Sequence, residues 1–171
     1  MQFKSTEKAL RILENEHQYL MALMQEWHAI VLGFENDVYS EEEGQEAFKK
    51  LRDLIIAFID PLKNHTEKEE QYFFPMLGSY IGLEQGPILA IEEEHEEIDA
   101  YIGHFLHHTR MPLEELSLED MRALVKDAGE AFEVLMVHFV KEESVLFPMA
   151  EKLMRADDQD KLMEQLNTLI V

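Results

Sequence analysis

The chain has 171 residues, 36 of them acidic and 15 basic, for a formal net charge of −21 at pH 7, and it has no cysteine. That length suits one domain, residues 1–171, able to bury a core without disulfides. The missing cysteines exclude iron–sulfur clusters, thiol catalysis and zinc–thiolate sites, and the charge makes nucleic acid and anionic membranes poor partners, since both need clustered Lys and Arg. No run approaches ~18 apolar residues, so no spanning helix is expected. The first residues, MQFKSTEKALRILENEH, are amphipathic and unlike a signal peptide, and the reading is of a cytoplasmic protein.

Leu, Met, Ala, Glu and Lys dominate, only 7 Gly and 5 Pro interrupt them, and helix is expected throughout. A first helix is predicted over about residues 5–32, capped by Ser5 and stopped by Gly33, with Leu10, Leu13, His17, Leu20, Met24 and Val31 on its apolar stripe. A second spans about 43–74, with a kink or break at Pro61 and a stop at Pro75. A third, about 87–108, carries Ile88, Ile91, His95, Ile98, Ile102 and Phe105. A fourth, about 117–147, starts at the Ser117 cap and ends before Pro148. A short C-terminal helix, about 149–170 and split near Asp157-Asp158, would close an all-α, up-down-up-down four-helix bundle.

One pattern organises these elements. His65-Thr66-Glu67-Lys68-Glu69-Glu70 … Phe74-Pro75-Met76 recurs as His138-Phe139-Val140-Lys141-Glu142-Glu143 … Phe147-Pro148-Met149, so both copies read H-x-x-K-E-E-x-x-x-F-P-M. Glu14-Asn15-Glu16-His17 likewise recurs as Glu92-Glu93-Glu94-His95, and the chain reads as two similar helical hairpins. His and Glu four residues apart lie one turn apart on one helix face. A single His on an apolar stripe is usually a hydrogen-bonded core residue. Four such His, one per long helix, with two carrying a carboxylate on the same face, point to a dinuclear metal site, because an uncompensated buried carboxylate costs several kcal/mol.

In that site His17 and His65 serve one metal, His95 and His138 the other, and Glu69 and Glu142 bridge. Ligation by nitrogen and oxygen alone suits Fe, Mn or Zn, and six protein ligands leave positions for an oxo or hydroxo bridge, water or a small molecule. Tyr72 is expected to pack, Asp99 to accept from the His95 imidazole, and His28 to be a core or rim residue. His104, His107 and His108 are expected on the surface, and Glu16, Glu70, Glu94 and Glu143 are most simply solvated, with a role behind the ligands open to them. Phe74-Pro75 and Phe147-Pro148 read as a helix stop with an aromatic plug.

At ENEH17, H65TEKE69EQYFFP75, EEEH95 and H138FVKE142ESVLFP148 the chain resembles the hemerythrin-like family, the HHE cation-binding domains. The resemblance implies a four-helix bundle with two non-haem iron ions held by the same six residues. The chain departs from the oxygen-carrying members, which have H-x3-H on the third helix where Asp99 stands here, and H-x4-D on the fourth where this chain has H-x3-E. Members implicated in repairing iron–sulfur centres carry a cysteine-bearing domain that this sequence lacks. The expected function is a di-iron protein that binds or senses O2, NO or iron. The alternatives are a di-iron oxidase or peroxide-handling enzyme, and a purely structural bundle. Nothing in the sequence specifies an oligomer.

Overall fold

The computed structural model describes residues 2–171, and no strand occurs among them. Four long helical rods run up-down-up-down: α1 (Lys8–Glu35), α2 (Glu41–Lys68) continuing into α3 (Phe74–Ile81), α4 (Pro87–His108), and α5 (Leu118–Lys141) continuing into α6 (Phe147–Leu153). A last helix, α7 (Ala156–Leu166), packs along α1. Helix α1 lies between α2 and α5, α4 packs closely on α5, and α2 meets α4 over a shorter stretch.

Several boundaries differ from those expected. Ser5 does not cap α1; its hydroxyl and amide both donate to the buried Glu14, at 2.8 and 2.9 Å, and the helix starts three residues later with Glu7 at the cap position. Gly33 lies within α1, where a Cβ would come 2.5 Å from the Tyr39 ring; the glycine admits the ring and the helix runs on to Glu35. Ser40 caps α2 in a reciprocal box with Glu43, and Ser117 caps α5 in the same way with Asp120. Pro61 sits buried inside an unbroken α2. The C-terminal break falls at Met154 and Arg155, where the backbone turns extended, ahead of Asp157-Asp158.

The two Phe-Pro pairs do not stop their helices. Each is preceded by one π turn, Glu69–Phe73 and Glu142–Leu146. Phe74 N–H donates to the Glu69 carbonyl and Phe147 N–H to that of Glu142, five residues back. Pro75 and Pro148 come next, have no N–H to extend that wider ladder, and the α register resumes after them. The extra residue in each turn brings both Phe73 and Phe74, and both Leu146 and Phe147, into the core.

The core is in two parts. One holds Leu20, Met24, Trp27, Phe48, Phe58, Phe105, Leu135 and Phe139 among others; the other holds Leu10, Leu13, Phe73, Phe74, Leu77, Ile88, Ile91, Phe147 and Leu162. Along three rods the changeover falls at a histidine: His17 between Leu13 and Leu20, His65 between Leu62 and Phe73, His95 between Ile91 and Ile98; on the fourth it falls just past His138, between Phe139 and Leu146. A polar layer thus crosses the bundle between two apolar plugs.

Candidate metal centre

The six side chains singled out in the sequence lie together in that layer as two overlapping groups. His17, His65, Glu69 and Glu142 form one; His95, His138, Glu69 and Glu142 form the other, and within each group one ligating atom per residue lies within 4.8 Å of all the rest. The two glutamates belong to both groups, and neither has any exposed surface. His17 Nε2 is 2.9 Å from Glu142 Oε2, His138 Nε2 is 3.0 Å from Glu142 Oε1, His65 Nε2 touches Glu69 Oε1, and His95 Nε2 is 3.6 Å from Glu69 Oε2. His95 Nε2 and His138 Nε2 face one another at 3.0 Å.

The outward ring nitrogens are held by carboxylates. Glu16 lies 2.9 Å from His65 Nδ1, Glu70 2.9 Å from His95 Nδ1, and Glu94 3.0 Å from His138 Nδ1. Glu143 approaches His17 Nδ1 at 3.8 Å. A carboxylate on Nδ1 keeps the proton there and turns the Nε2 lone pair inward, the arrangement that orients an imidazole toward a metal. Lys68 and Lys141 in turn bond Glu16 and Glu94. Each hairpin supplies its own Glu–His–Lys set, and the second Glu of each K-E-E run faces the lone His of the other hairpin. The plugs follow the same crossed rule: Phe74 stacks on His95 with ring centres 5.9 Å apart, and Phe147 on His17 at 5.7 Å.

Charge compensation at the layer is unfinished within the protein. His17 Nε2, His65 Nε2 and all four carboxylate oxygens of Glu69 and Glu142 are buried without a well-formed hydrogen bond. Among the described residues, the cations that the metal-free protein sets directly against Glu69 and Glu142 are the imidazoles. Burial opposes charge on His65, yet Glu69, Glu16 and Glu142 raise its pKa to about 10. Burial opposes charge on His95 as well, and Glu69, Glu142 and Glu70 raise it to about 9. His17 is raised by Glu142 and Glu143 against its burial, and Glu69 is held well below the usual carboxylate range, against its burial, by His65 beside it. Inward lone pairs around shared carboxylates are a donor set for hard or borderline cations, and the residues fit metal binding.

The remaining candidates lie elsewhere. Asp99 is exposed, and the His95 Nδ1 contact expected of it is made by Glu70. Tyr72 packs against the apolar plug on the α7 side. His28 is stacked flat on Phe132 at 3.5 Å, away from the layer, with its pKa lowered by burial. His104, His107 and His108 are exposed. The expectation of solvation holds for Glu70, which is exposed, and is overturned for the other three: Glu16 is buried and Glu94 and Glu143 are largely covered; Glu16, Glu70 and Glu94 bond imidazoles, the outer role left open to them. The internal repeat carried that signal, since each of these glutamates occupies matching positions in the two hairpins.

The model of the hemerythrin HHE cation binding domain matches residues 8–150. The chain belongs to that family. Among curated relatives, the iron-sulfur cluster repair protein YtfE of Salmonella typhimurium (strain LT2) is 33% identical over 99 residues, 56% of this chain and 44% of the relative. The proteins of the same name from Salmonella paratyphi B and Salmonella newport match to the same extent. The match therefore spans less than half the length of these relatives. An HHE domain with its His and Glu clusters marks this chain as a metal-binding, hemerythrin-like protein.

Proposed function

We propose that the chain holds a non-haem di-iron centre and uses it to bind or sense a small diatomic ligand, O2 or NO. His17 and His65 would hold one ion, His95 and His138 the other, with Glu69 and Glu142 shared. The observation that carries the reading is the pair of fully buried glutamates common to two histidine pairs, with their oxygens lacking hydrogen bonds. A purely structural layer would leave those carboxylates uncompensated whenever the imidazoles are neutral. When bound, the irons supply redox chemistry and open coordination positions for the diatomic ligand. The protein's part is to hold and orient: Glu16, Glu70 and Glu94 keep protons on Nδ1, and Phe74, Phe139 and Phe147 shield the rings from water. Cytoplasmic location belongs to this proposal and rests on the cysteine-free sequence; among the described residues no helix is long and apolar enough to cross a membrane.

The test is untagged protein purified with and without oxygen, its bound metals measured and its visible spectrum followed under O2 and NO. About two irons per chain, as in di-iron bundles, and a reversible spectral change are expected. Folded protein that takes up no iron would end this reading. The likeness to iron-sulfur cluster repair proteins favours a second reading, iron delivery to damaged clusters. It predicts that the loaded chain restores a cluster-depleted iron–sulfur protein.

A further inference from the structure

Lys68 is a buried cation outside the six candidate ligands. Its counterpart in the repeat is Lys141, yet 7% of the Lys68 side chain is exposed against 51% for Lys141. A buried ammonium needs acceptors for its three protons. Lys68 Nζ donates to Glu16 Oε2 at 2.5 Å, to the Leu166 carbonyl at 2.8 Å and to the Thr168 carbonyl. The other oxygen of Glu16 meets His65 Nδ1 at 2.9 Å. A continuous polar chain therefore runs from the backbone at Leu166 and Thr168, through Lys68 and Glu16, to the His65 ring. Lys141 reaches Glu94 and His138 in the same way but meets solvent instead of backbone.

Residues 167–171 lie as a strap beyond the end of α7. Ile170 alone of the strap enters the core; Leu169 and Val171 are largely exposed, and Asn64 Nδ2 donates to the Val171 carbonyl at 3.3 Å. Cavities of about 940 and 280 Å³ flank the strap, the larger towards α1 and the smaller towards α2, and both are lined by Thr168 and Leu169. A segment held at so few points between two cavities belongs to the easily opened part of a protein.

We infer that Lys68 is a positioning residue that couples the seating of this strap to the orientation of His65, and so to metal binding at the His17/His65 side alone. The inference rests on the two-metal reading above. With the strap seated, Lys68 is fixed on two carbonyls and holds Glu16 against His65. With the strap lifted, Lys68 loses the Thr168 carbonyl and keeps only that of Leu166, at the end of α7, beside Glu16; water reaches it through the joined cavities, and Glu16 is held less firmly. The His95/His138 side has no strap and does not respond.

The test compares the full chain, Lys68→Met, Lys141→Met, a strap deletion in which a Gly-Ser run of equal length takes the place of residues 167–171 so that Leu166 keeps its peptide carbonyl, and the combination of that deletion with Lys68→Met. Stepwise Fe(II) affinities are measured against a competing chelator, and the Nδ1–H resonances of His65 and His138 are followed in metal-free protein. Lys68→Met is expected to weaken one of two binding steps ~10-fold, the usual size for an outer partner of a ligand. Lys141→Met should stay within about twofold, as for an exposed pair. Strap deletion should weaken the same step as Lys68→Met, and the combination should add nothing to Lys68→Met alone. Equal losses for the two lysines, or additive losses in the combination, overturn the inference. In metal-free protein, strap deletion should move the His65 Nδ1–H signal and leave that of His138. If the full chain binds no iron, the metal-centre reading fails by itself, and an unmoved His65 signal then rejects the coupling separately. Should Lys68→Met not fold, the deletion, which leaves every helix intact, decides the matter.

Discussion

Around His17 and His65 the outer partners are buried; around His95 and His138, Glu70 and Lys141 meet solvent. Glu143 is 8% exposed and its counterpart Glu70 is 44% exposed, the two lysines differ in the same sense, and His95 is the most exposed of the four imidazoles. One substitution between the repeats goes with the difference. Phe139, directly after His138, stacks on His17 with ring centres 4.3 Å apart, so His17 lies between Phe139 and Phe147. The matching position after His65 is Thr66, and His95 has Phe74 on one face only. Two near-identical motifs thus make one closed half and one open half. On the function proposed above, a small ligand would reach the centre at the open half, beside the exposed Glu70.

The comparison is broken most completely by removing what the halves share. Glu69→Ala or Glu142→Ala should lower bound iron from about two per chain to well below one; metal analysis of purified protein checks this. A variant that still holds both irons would mean that the glutamates are not shared ligands. Removing one outer carboxylate should separate the halves. Glu16→Gln, in the closed half, is expected to weaken one metal step ~10–100-fold, and Glu70→Gln, already wet, to lie at the low end of that range or below it. Chelator competition reads both, and equal losses would erase the distinction drawn between buried and exposed partners.

The pH response sets the metal-free protein against the loaded one. His65 and His95 have pKa values raised to about 10 and about 9, so the stability they lend the metal-free fold is complete below the unfolded value of 6.5 and is lost as pH rises through 9 to 10. Glu69 is depressed, so its contribution is present above 4.5 and fades as pH falls through its lowered folded value. Metal-free protein should therefore be most stable between about pH 4.5 and 6.5 and weaken towards pH 10. Iron affinity should rise over that same upper range, because the metal displaces protons from His65 and His95. Denaturant melts with and without iron across this range check the crossing, and parallel curves would show that the imidazoles are not the site of exchange. The smallest effect belongs to Thr66→Phe. It restores the aromatic of the other repeat, and it should slow iron loss to a chelator from the open half severalfold without changing the number of ions bound. Unchanged release would show that Thr66 does not make the difference in access.

The repeat of H-x-x-K-E-E-x-x-x-F-P-M made the bundle, the polar layer and the six inward side chains legible in advance, because helical spacing alone decides which residues share a face. Pro75 and Pro148 were misleading for a local reason. A proline breaks an α register, yet after a π turn it only prevents that turn from continuing, and the periodicity of a single rod does not reveal the extra residue. Ser5 and Gly33 failed as helix boundaries because Glu14 and Tyr39, a little further along the chain, took them for other contacts.

What the sequence determined by itself was composition of the layer: which residue types face inward on each rod, and that two hairpins repeat them. Tertiary structure alone decided how the rods meet. It crossed each hairpin's second glutamate and phenylalanine onto the other hairpin's histidine, buried Lys68 under the strap at 167–171 while leaving Lys141 in water, and so closed one half of the centre. Spacing along a helix fixes direction about its own axis, whereas burial and partnership depend on what a neighbouring rod places opposite, and that is settled only when the chain packs.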